Sequence, residues 1–295
     1  MNRLLAPRVR ALRDRLLLQE DLNFLLTNRI PRIALTRAMG WLSKVRQPAV
    51  VAVAMAVWRW FGGIDLRDAK KQRFDSLHDC FTRELVPGAR PIDTDAGVLV
   101  SPCDAIVGAC GRVEDATVWQ AKGFPYTLHD LSDDDQLERY CGGCYVTLRL
   151  TAGMYHRFHA PADMVIDGVR YISGDTWNVN PVALKRVEKL FCKNERAVVA
   201  CRLQGSGHPI ALVPVAAVLV ASMRLHCIDV LLHLRYRGPA QIACHAPVAR
   251  GEELGWFEHG STIIVFAPPG FDLCSGITPG TPIRMGQRLL QLPRA

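Results

Sequence analysis

The last two thirds of the chain consist of short β-rich runs, and this pattern constrains the fold more than any other feature. Glycine and proline separate most of the runs, and strands do not alternate regularly with helices. Such a pattern favours a largely antiparallel α+β domain over a doubly wound parallel sheet. The runs are 98–100, 105–113, 145–150, 164–172, 197–203, 210–213, 218–223 and 228–236.

A change in composition divides the chain in two. Residues 1–85 have mostly helical patterns, and the segment from Val86 to Ile92 then introduces two prolines and a glycine. We therefore expect a helical region over 1–85 and a β-rich domain over 86–295. Within that domain, residues 278–289 resemble 249–254 in their Gly-polar-x-Leu ending, and paired hairpins of this kind are found in barrel-sandwich architectures.

The positive charge is concentrated at the start of the chain. The net charge is +8, and the first 50 residues contain ten Lys or Arg against three acidic residues. A basic segment of this kind binds anionic surfaces, either lipid headgroups or nucleic acid. No nucleic-acid recognition motif is present, so we expect no nucleic-acid partner.

Apolar residues in this basic segment have helical spacing. From Ile30 to Val45 they recur every three or four residues, with Asn28 as the expected cap and Pro31 in the first turn. A basic amphipathic helix with tryptophan is typical of a membrane interface, although packing on the body of the protein explains the pattern equally well. The apolar run 49–58 is too short to cross a bilayer, and no secretory signal stands out. We expect a protein that lies on a membrane rather than across it.

The ten cysteines do not form a metal-binding pattern. Only Cys141 and Cys144 are closely spaced, whereas a zinc ribbon requires a second such pair. We therefore expect no bound metal. Reduced thiols are typical of a protein that faces the cytosol.

One serine follows a glycine just before a β-branched run. The order His259-Gly260-Ser261-Thr262-Ile263 is not a Gly-x-Ser-x-Gly elbow, and a strand rather than a helix follows it. Two interpretations remain open at this point. Ser261 is either an ordinary turn residue or a nucleophile that attacks the carbonyl of Gly260, which requires a general base from elsewhere in the chain.

Several ordered blocks between residues 76 and 290 closely resemble the phosphatidylserine decarboxylases, a family of self-cleaving proenzymes. The most distinctive is GEELGWFEHGSTII at 251–264. The others are FTREL at 81–85, PGARPI at 87–92, SPCD at 101–104, QAKGFPYTL at 120–128, YHRFHAP at 155–161, ISGDTWNVN at 172–180 and NER at 194–196.

The resemblance implies a carbon–carbon lyase that converts phosphatidylserine into phosphatidylethanolamine and carbon dioxide. The chain would cleave itself between Gly260 and Ser261, and Ser261 would become a pyruvoyl group that forms a Schiff base with the substrate amine. Such a group supplies the electron sink that decarboxylation of an amino acid requires, and the sequence offers no persuasive lysine motif for pyridoxal phosphate.

The resemblance also assigns roles to four residues. Asp104 orients His159, His159 takes the proton of Ser261, and His156 protonates the carbanion that decarboxylation leaves. The division between the two histidines comes from the family pattern and is open to reversal. Many relatives have aspartate where this chain has Met154, so the role of that acid does not carry over. Lys122 is either a contact for an anionic group or a solvated side chain.

The expected partners follow from the same resemblance. They are a phospholipid substrate, an anionic membrane surface, the chain's own two fragments and, as an open alternative, a second copy in a homodimer. We expect a peripheral protein on the cytoplasmic face of the cell membrane. The alternative is a non-catalytic lipid-surface protein, which would lack Ser261, Asp104 or His159, and all three are present.

Overall fold

The computed structural model describes residues 20–21, 24–25, 31–121, 124–218, 222–228, 230–233, 236–258 and 261–293. Most of the basic segment before Pro31, including the expected cap Asn28, lies outside the described residues. Lys122 and Gly260 also lie outside them.

Three helices form the described part of the N-terminal region: α1 (Arg32–Leu42), α2 (Pro48–Gly62) and α3 (Leu77–Phe81). Proline in its first turn begins α2, and Gly63 ends it in the left-handed conformation at φ 59°. The Ser76 side chain caps α3 by accepting a hydrogen bond from the Asp79 amide. The predicted helical region is confirmed here, and α1 begins after Pro31. No helix among the described residues is long and apolar enough to cross a membrane.

The rest of the described chain is dominated by strands. They are β1 (Val98–Val100), β2 (Ala105–Arg112), β3 (Thr117–Ala121), β4 (Phe124–Thr127), β5 (Cys144–Arg149), β6 (Arg157–His159), β7 (Met164–Ile172), β8 (Arg196–Leu203), β9 (Pro209–Ala216), β10 (Ser222–Leu225), β11 (Val230–His233), β12 (Gln241–Val248), β13 (Glu253–Phe257), β14 (Ser261–Ala267), β15 (Asp272–Leu273), β16 (Pro282–Ile283) and β17 (Arg288–Gln291). Short helices α4 (Leu128–Ser132), α5 (Pro181–Leu184) and α6 (Leu190–Lys193) connect some of them.

The largest sheet has eight strands in the order β12-β7-β8-β9-β14-β5-β2-β16, and every pairing in it is antiparallel. A second sheet has the order β11-β10-β13-β6, and a third has β1-β17-β15. No sheet closes into a barrel within the described ranges. The α+β class with a mostly antiparallel β-rich domain is therefore confirmed.

Strand β14 lies inside the large sheet between β9 and β5, and all seven of its residues are buried. Its sequence STIIVFA has no charged residue, as expected of a strand that is covered on both faces. Ser261 is its first residue. The sheet therefore fixes the position of the serine from both sides.

The N-terminal helices pack directly on the β-rich domain. The rings of Trp58 and Phe81 are stacked with centroids 4.3 Å apart, and Phe81 lies 4.4 Å from the ring of His156. Arg32 of α1 forms an ion pair with Asp175 at 2.6 Å. The helical region thus forms one side of the site that contains His156, although the division of the chain at residue 86 stays a prediction.

Candidate active site

The Ser261 hydroxyl is fully buried and has no hydrogen-bond partner among the described residues. Its backbone is held on both sides, because its carbonyl accepts from the Leu150 amide at 2.8 Å and the residue pairs with Ala216 across β9. A buried polar group without a partner is uncommon in a folded protein. The side chain is therefore a strong candidate for chemistry rather than for structural support.

His159 ends strand β6 and is held by two hydrogen bonds. Its Nδ1 lies 2.9 Å from the Gly251 carbonyl oxygen, and its Nε2 lies 3.0 Å from the Tyr155 hydroxyl. A carbonyl only accepts, so Nδ1 carries the hydrogen and Nε2 accepts from Tyr155. Burial lowers the pKa of His159. The imidazole is therefore neutral near pH 7, with Nε2 as its basic nitrogen.

The glycine whose carbonyl accepts the hydrogen bond from His159 cannot be replaced without strain. Gly251 has φ 80°, and a Cβ at this position would lie 2.1 Å from Cδ1 of Ile92. The conformation and the contact both favour glycine. The carbonyl that sets the tautomer of His159 thus depends on a residue without a side chain.

Asp104 is buried and bound by arginine. Both of its carboxylate oxygens accept from Arg90, at 2.6 to 3.0 Å, and one also accepts from the Met285 amide at 2.9 Å. Within the described chain no hydrogen bond joins Asp104 to His159, although the His159 amide donates to the Pro102 carbonyl two residues away at 2.8 Å. The segment that contains Asp104 therefore contacts the backbone of His159, whereas the Asp104 carboxylate accepts its side-chain hydrogen bonds from Arg90.

His156 is also fully buried but lies just before β6. Its Nδ1 donates to the Met154 carbonyl at 2.8 Å, which makes Nε2 the basic nitrogen. His156 thus lies outside the strand, whereas His159 lies within it. The Ser261 hydroxyl forms a hydrogen bond with neither histidine.

The pairing of β13 orders the two histidines relative to Ser261. His159 pairs with Glu253 at the start of β13, whereas the Phe257 amide at its end donates to the His156 carbonyl at 3.1 Å. Four residues of strand correspond to about 13 Å. Along β13, His156 is therefore nearer than His159 to the end of the strand from which the chain continues to Ser261.

A cavity of about 920 Å³ lies between the N-terminal helices and the end of strands β5 and β9. Leu150, whose amide donates to the Ser261 carbonyl, and Ala217, which follows the β9 partner Ala216, form part of its wall. Its volume is at the upper end of the about 300–1,000 Å³ typical of small-molecule sites. Apolar side chains of α1 to α3 form most of the opposite wall, among them Met39, Leu42, Val50, Val53, Val57, Trp58, Leu77 and Phe81.

A buried carboxyl group lies close to the strand that pairs with Ser261. Burial raises the pKa of Glu195 to about 7, and the Glu195 carbonyl accepts from the Ala216 amide at 2.8 Å. The Tyr171 hydroxyl contacts both Glu195 and the His233 carbonyl. A hydroxyl has one hydrogen, and the carbonyl only accepts, so both contacts are satisfied when Glu195 is protonated and donates to Tyr171.

Sequence reasoning identified Ser261, His156, His159 and Asp104 but not the residues that hold them. Arg90 and Tyr155 lie inside blocks of family-like sequence, which was the available signal. Nothing in the local sequence linked Tyr155 to His159 or Arg90 to Asp104, because both contacts depend on the tertiary fold.

Comparison with known proteins gives a consistent result. A family model described as phosphatidylserine decarboxylase matches residues 77–291. The chain is 34% identical over 273 residues to the phosphatidylserine decarboxylase proenzyme of Aliivibrio salmonicida (strain LFI1238), covering 87% of this chain and 93% of that protein. It is 36% identical over 270 residues to the proenzyme of the same name from Anaeromyxobacter sp. (strain K), covering 88% and 94%.

Replacing Glu195 by glutamine should stabilise the protein in a pH-dependent way. Because the folded pKa of Glu195 lies above its ordinary value of 4.5, the wild type loses stability as pH rises from about 4.5 to 7. Glu195→Gln does not titrate, so its advantage in the free energy of unfolding should grow by about 2–3 kcal/mol between pH 5 and pH 8. Urea unfolding at both pH values measures this.

The exposed Glu188 provides the control, because Glu188→Gln should show no such growth. An advantage of Glu195→Gln that is equal at pH 5 and pH 8 would contradict a protonated, buried carboxyl group at Glu195.

Proposed function

Because the chain belongs to the phosphatidylserine decarboxylase family, we infer that it is a carboxy-lyase that converts phosphatidylserine into phosphatidylethanolamine and carbon dioxide. The observation that carries this inference is the fully buried, unpartnered Ser261 hydroxyl, which lies in the family signature at the start of β14. The adjoining apolar cavity has the size and chemistry to receive part of a phospholipid.

We propose that Ser261 activates the chain by cleaving it. Its Oγ attacks the Gly260 carbonyl carbon, and the peptide nitrogen departs to give an ester. Elimination then breaks the Ser261 Cβ–Oγ bond, releasing residues 1–260 with a terminal carboxylate and leaving dehydroalanine. Hydrolysis of dehydroalanine releases ammonia and leaves a pyruvoyl group at the start of residues 261–295.

The surroundings of Ser261 fit such a group. The Leu150 amide and the pairing with Ala216 would hold its backbone, and Ser261 itself is fully buried. The pyruvoyl group supplies an electron sink for the electrons left when carbon dioxide departs. The two fragments should remain together after cleavage, because β14 stays hydrogen-bonded between β5 and β9 of the larger fragment.

We assign the proton transfer that starts cleavage to His159 on the family pattern, although His156 lies nearer to Ser261 along β13. Burial lowers the pKa of His159 and so keeps the imidazole neutral, with Nε2 as the basic nitrogen. Nε2 can accept a proton once its hydrogen bond with the Tyr155 hydroxyl is broken. Asp104 acts on His159 without a hydrogen bond, since Arg90 holds its oxygens, and its negative charge favours the protonated imidazole. His156, packed against Phe81 at the helical side of the site, is assigned the protonation of the substrate carbanion.

Ser261→Ala should abolish both maturation and activity, because alanine has no hydroxyl to attack Gly260. On a denaturing gel the wild type should give two chains and the variant one. Thr262→Ala, which alters the neighbouring buried hydroxyl, is the matched control and should still be cleaved. An active wild type that remains one uncut chain would contradict the proposal.

The two histidines should separate cleavage from decarboxylation. His159→Ala and Asp104→Asn should remain uncut, whereas His156→Ala should be cleaved but should lose about 10²–10⁴-fold in kcat, as expected for loss of a general acid. Denaturing gels and carbon dioxide release measure the two steps. Equal cleavage defects in all three variants would eliminate the assigned division, and cleavage of His159→Ala but not His156→Ala would reverse it.

We also propose that the protein docks on the cytoplasmic face of an anionic membrane through α1 and α2. These helices expose apolar side chains although they pack on the domain, and Trp41 and Val53 are 73% and 65% exposed. The basic residues of the first 50 positions add attraction to anionic lipid. All ten cysteines are free thiols, as is common in a reducing compartment.

Replacing Trp41 and Val53 by serine should weaken docking. The loss of two exposed apolar side chains should reduce binding to anionic vesicles by about tenfold or more. Vesicle flotation measures this, and the control Trp119→Ser removes a half-exposed tryptophan from another part of the surface. Equal flotation of Trp41→Ser/Val53→Ser and the wild type would contradict docking through this face.

A further inference from the structure

Arg149 is an unpaired cation in the wall of the apolar cavity. It is the last residue of β5 and the only ionisable side chain among the described residues that line the cavity. Its guanidinium forms no hydrogen bond or ion pair with any described residue. Burial alone lowers its pKa, with no neighbouring charge contributing.

Other arginines in the interior are compensated. Arg90 binds Asp104, Arg83 donates to the Cys80 and Gly153 carbonyls, and Arg196 donates to backbone carbonyls that include that of Leu131. Burying a charge without a partner is costly, so an uncompensated guanidinium facing a cavity favours an anionic ligand. Arg149 differs from these arginines because no described residue compensates its charge, which leaves its guanidinium available to a molecule in the cavity.

An anion bound to Arg149 would lie near Ser261. Arg149 pairs with Thr262 across β14, one residue from Ser261. Consecutive strand residues point to opposite faces, but the cavity extends across the strand end, because the four consecutive residues Arg149 to Ala152 all line it. A headgroup in the cavity can therefore approach both the guanidinium and the start of β14.

We propose that Arg149 binds the phosphodiester of the phospholipid headgroup and thereby selects a phospholipid over free serine. This inference rests on the proposed decarboxylase function. Arginine suits the role because its planar donors match two phosphate oxygens at once. The apolar walls from α1 to α3 would then contact the part of the lipid beyond the phosphate.

The chemistry of decarboxylation favours the phosphate over the carboxylate as the ligand. The carboxylate leaves as neutral carbon dioxide, so a cation bound to it would stabilise the starting state more than the transition state. The phosphodiester keeps its charge throughout the reaction. Arg149 therefore contributes equally to ground-state and transition-state binding, which changes KM rather than kcat.

The test compares Arg149→Met with the wild type on two probes: phosphatidylserine in neutral detergent micelles and soluble glycerophosphoserine. Losing a charge-assisted contact should raise KM for both by about 10–100-fold and leave kcat within about threefold. Arg149→Lys keeps the positive charge but lacks the planar pair of donors of a guanidinium. Its KM should therefore lie between those of the wild type and Arg149→Met. Arg202→Met is the control, because Arg202 is a surface residue that pairs with Asp167.

A second measurement uses the unmutated protein, so it does not depend on the folding of a variant. Phenylglyoxal modifies arginine, and peptide mass spectrometry reports each site. Glycerophosphoserine should protect Arg149 and leave the modification of Arg202 unchanged. An increase in KM confined to the micellar probe would instead indicate a contact with the lipid surface and would overturn the proposal.

The outcomes separate this inference from the function on which it rests. If the wild type releases no carbon dioxide from phosphatidylserine, the proposed function fails. If the wild type is active, wild-type KM values for Arg149→Met on both probes would overturn the role of Arg149 alone. Absence of protection against phenylglyoxal would also overturn it.

Discussion

The structure depends above all on the pairing of β14 with β9 and β5. The strand is buried along its whole length, and its backbone is satisfied on both edges. Ser261 is the first residue of this strand. The sheet thus holds the backbone of the proposed nucleophile on both sides. The same pairing explains how two fragments would form one stable enzyme.

Burial shifts the pKa values of two ionisable groups in opposite directions. Burial lowers the pKa of His159 and raises the pKa of Glu195 to about 7. The first change provides a neutral base, and the second provides a neutral acid that completes the Tyr171 contacts. Asp104, by contrast, is bound directly by Arg90. The site therefore contains few uncompensated charges, which makes the unpaired Arg149 informative.

The sequence predicted the elements whose signal is local. The run 164–172 coincides with β7, and the β-branched run beginning at Thr262 forms most of β14. Strand β12 was missed because it is an edge strand with one exposed face and contains Pro247, so its composition is not typical of a buried strand. The blocks that resemble the family located Ser261 and both histidines. The contacts of His159 with Tyr155 and of Asp104 with Arg90 were not predictable, because they depend on how distant segments pack.

The central claim is that Ser261 breaks the bond on its own N-terminal side and is converted in the process. Intact mass spectrometry of protein that is active on phosphatidylserine tests this most directly. We expect a smaller chain with the mass of residues 261–295 reduced by one ammonia, and a larger chain with the mass of residues 1–260. A single mass for the continuous polypeptide, or a smaller chain that retains an ordinary amino-terminal serine, would contradict it.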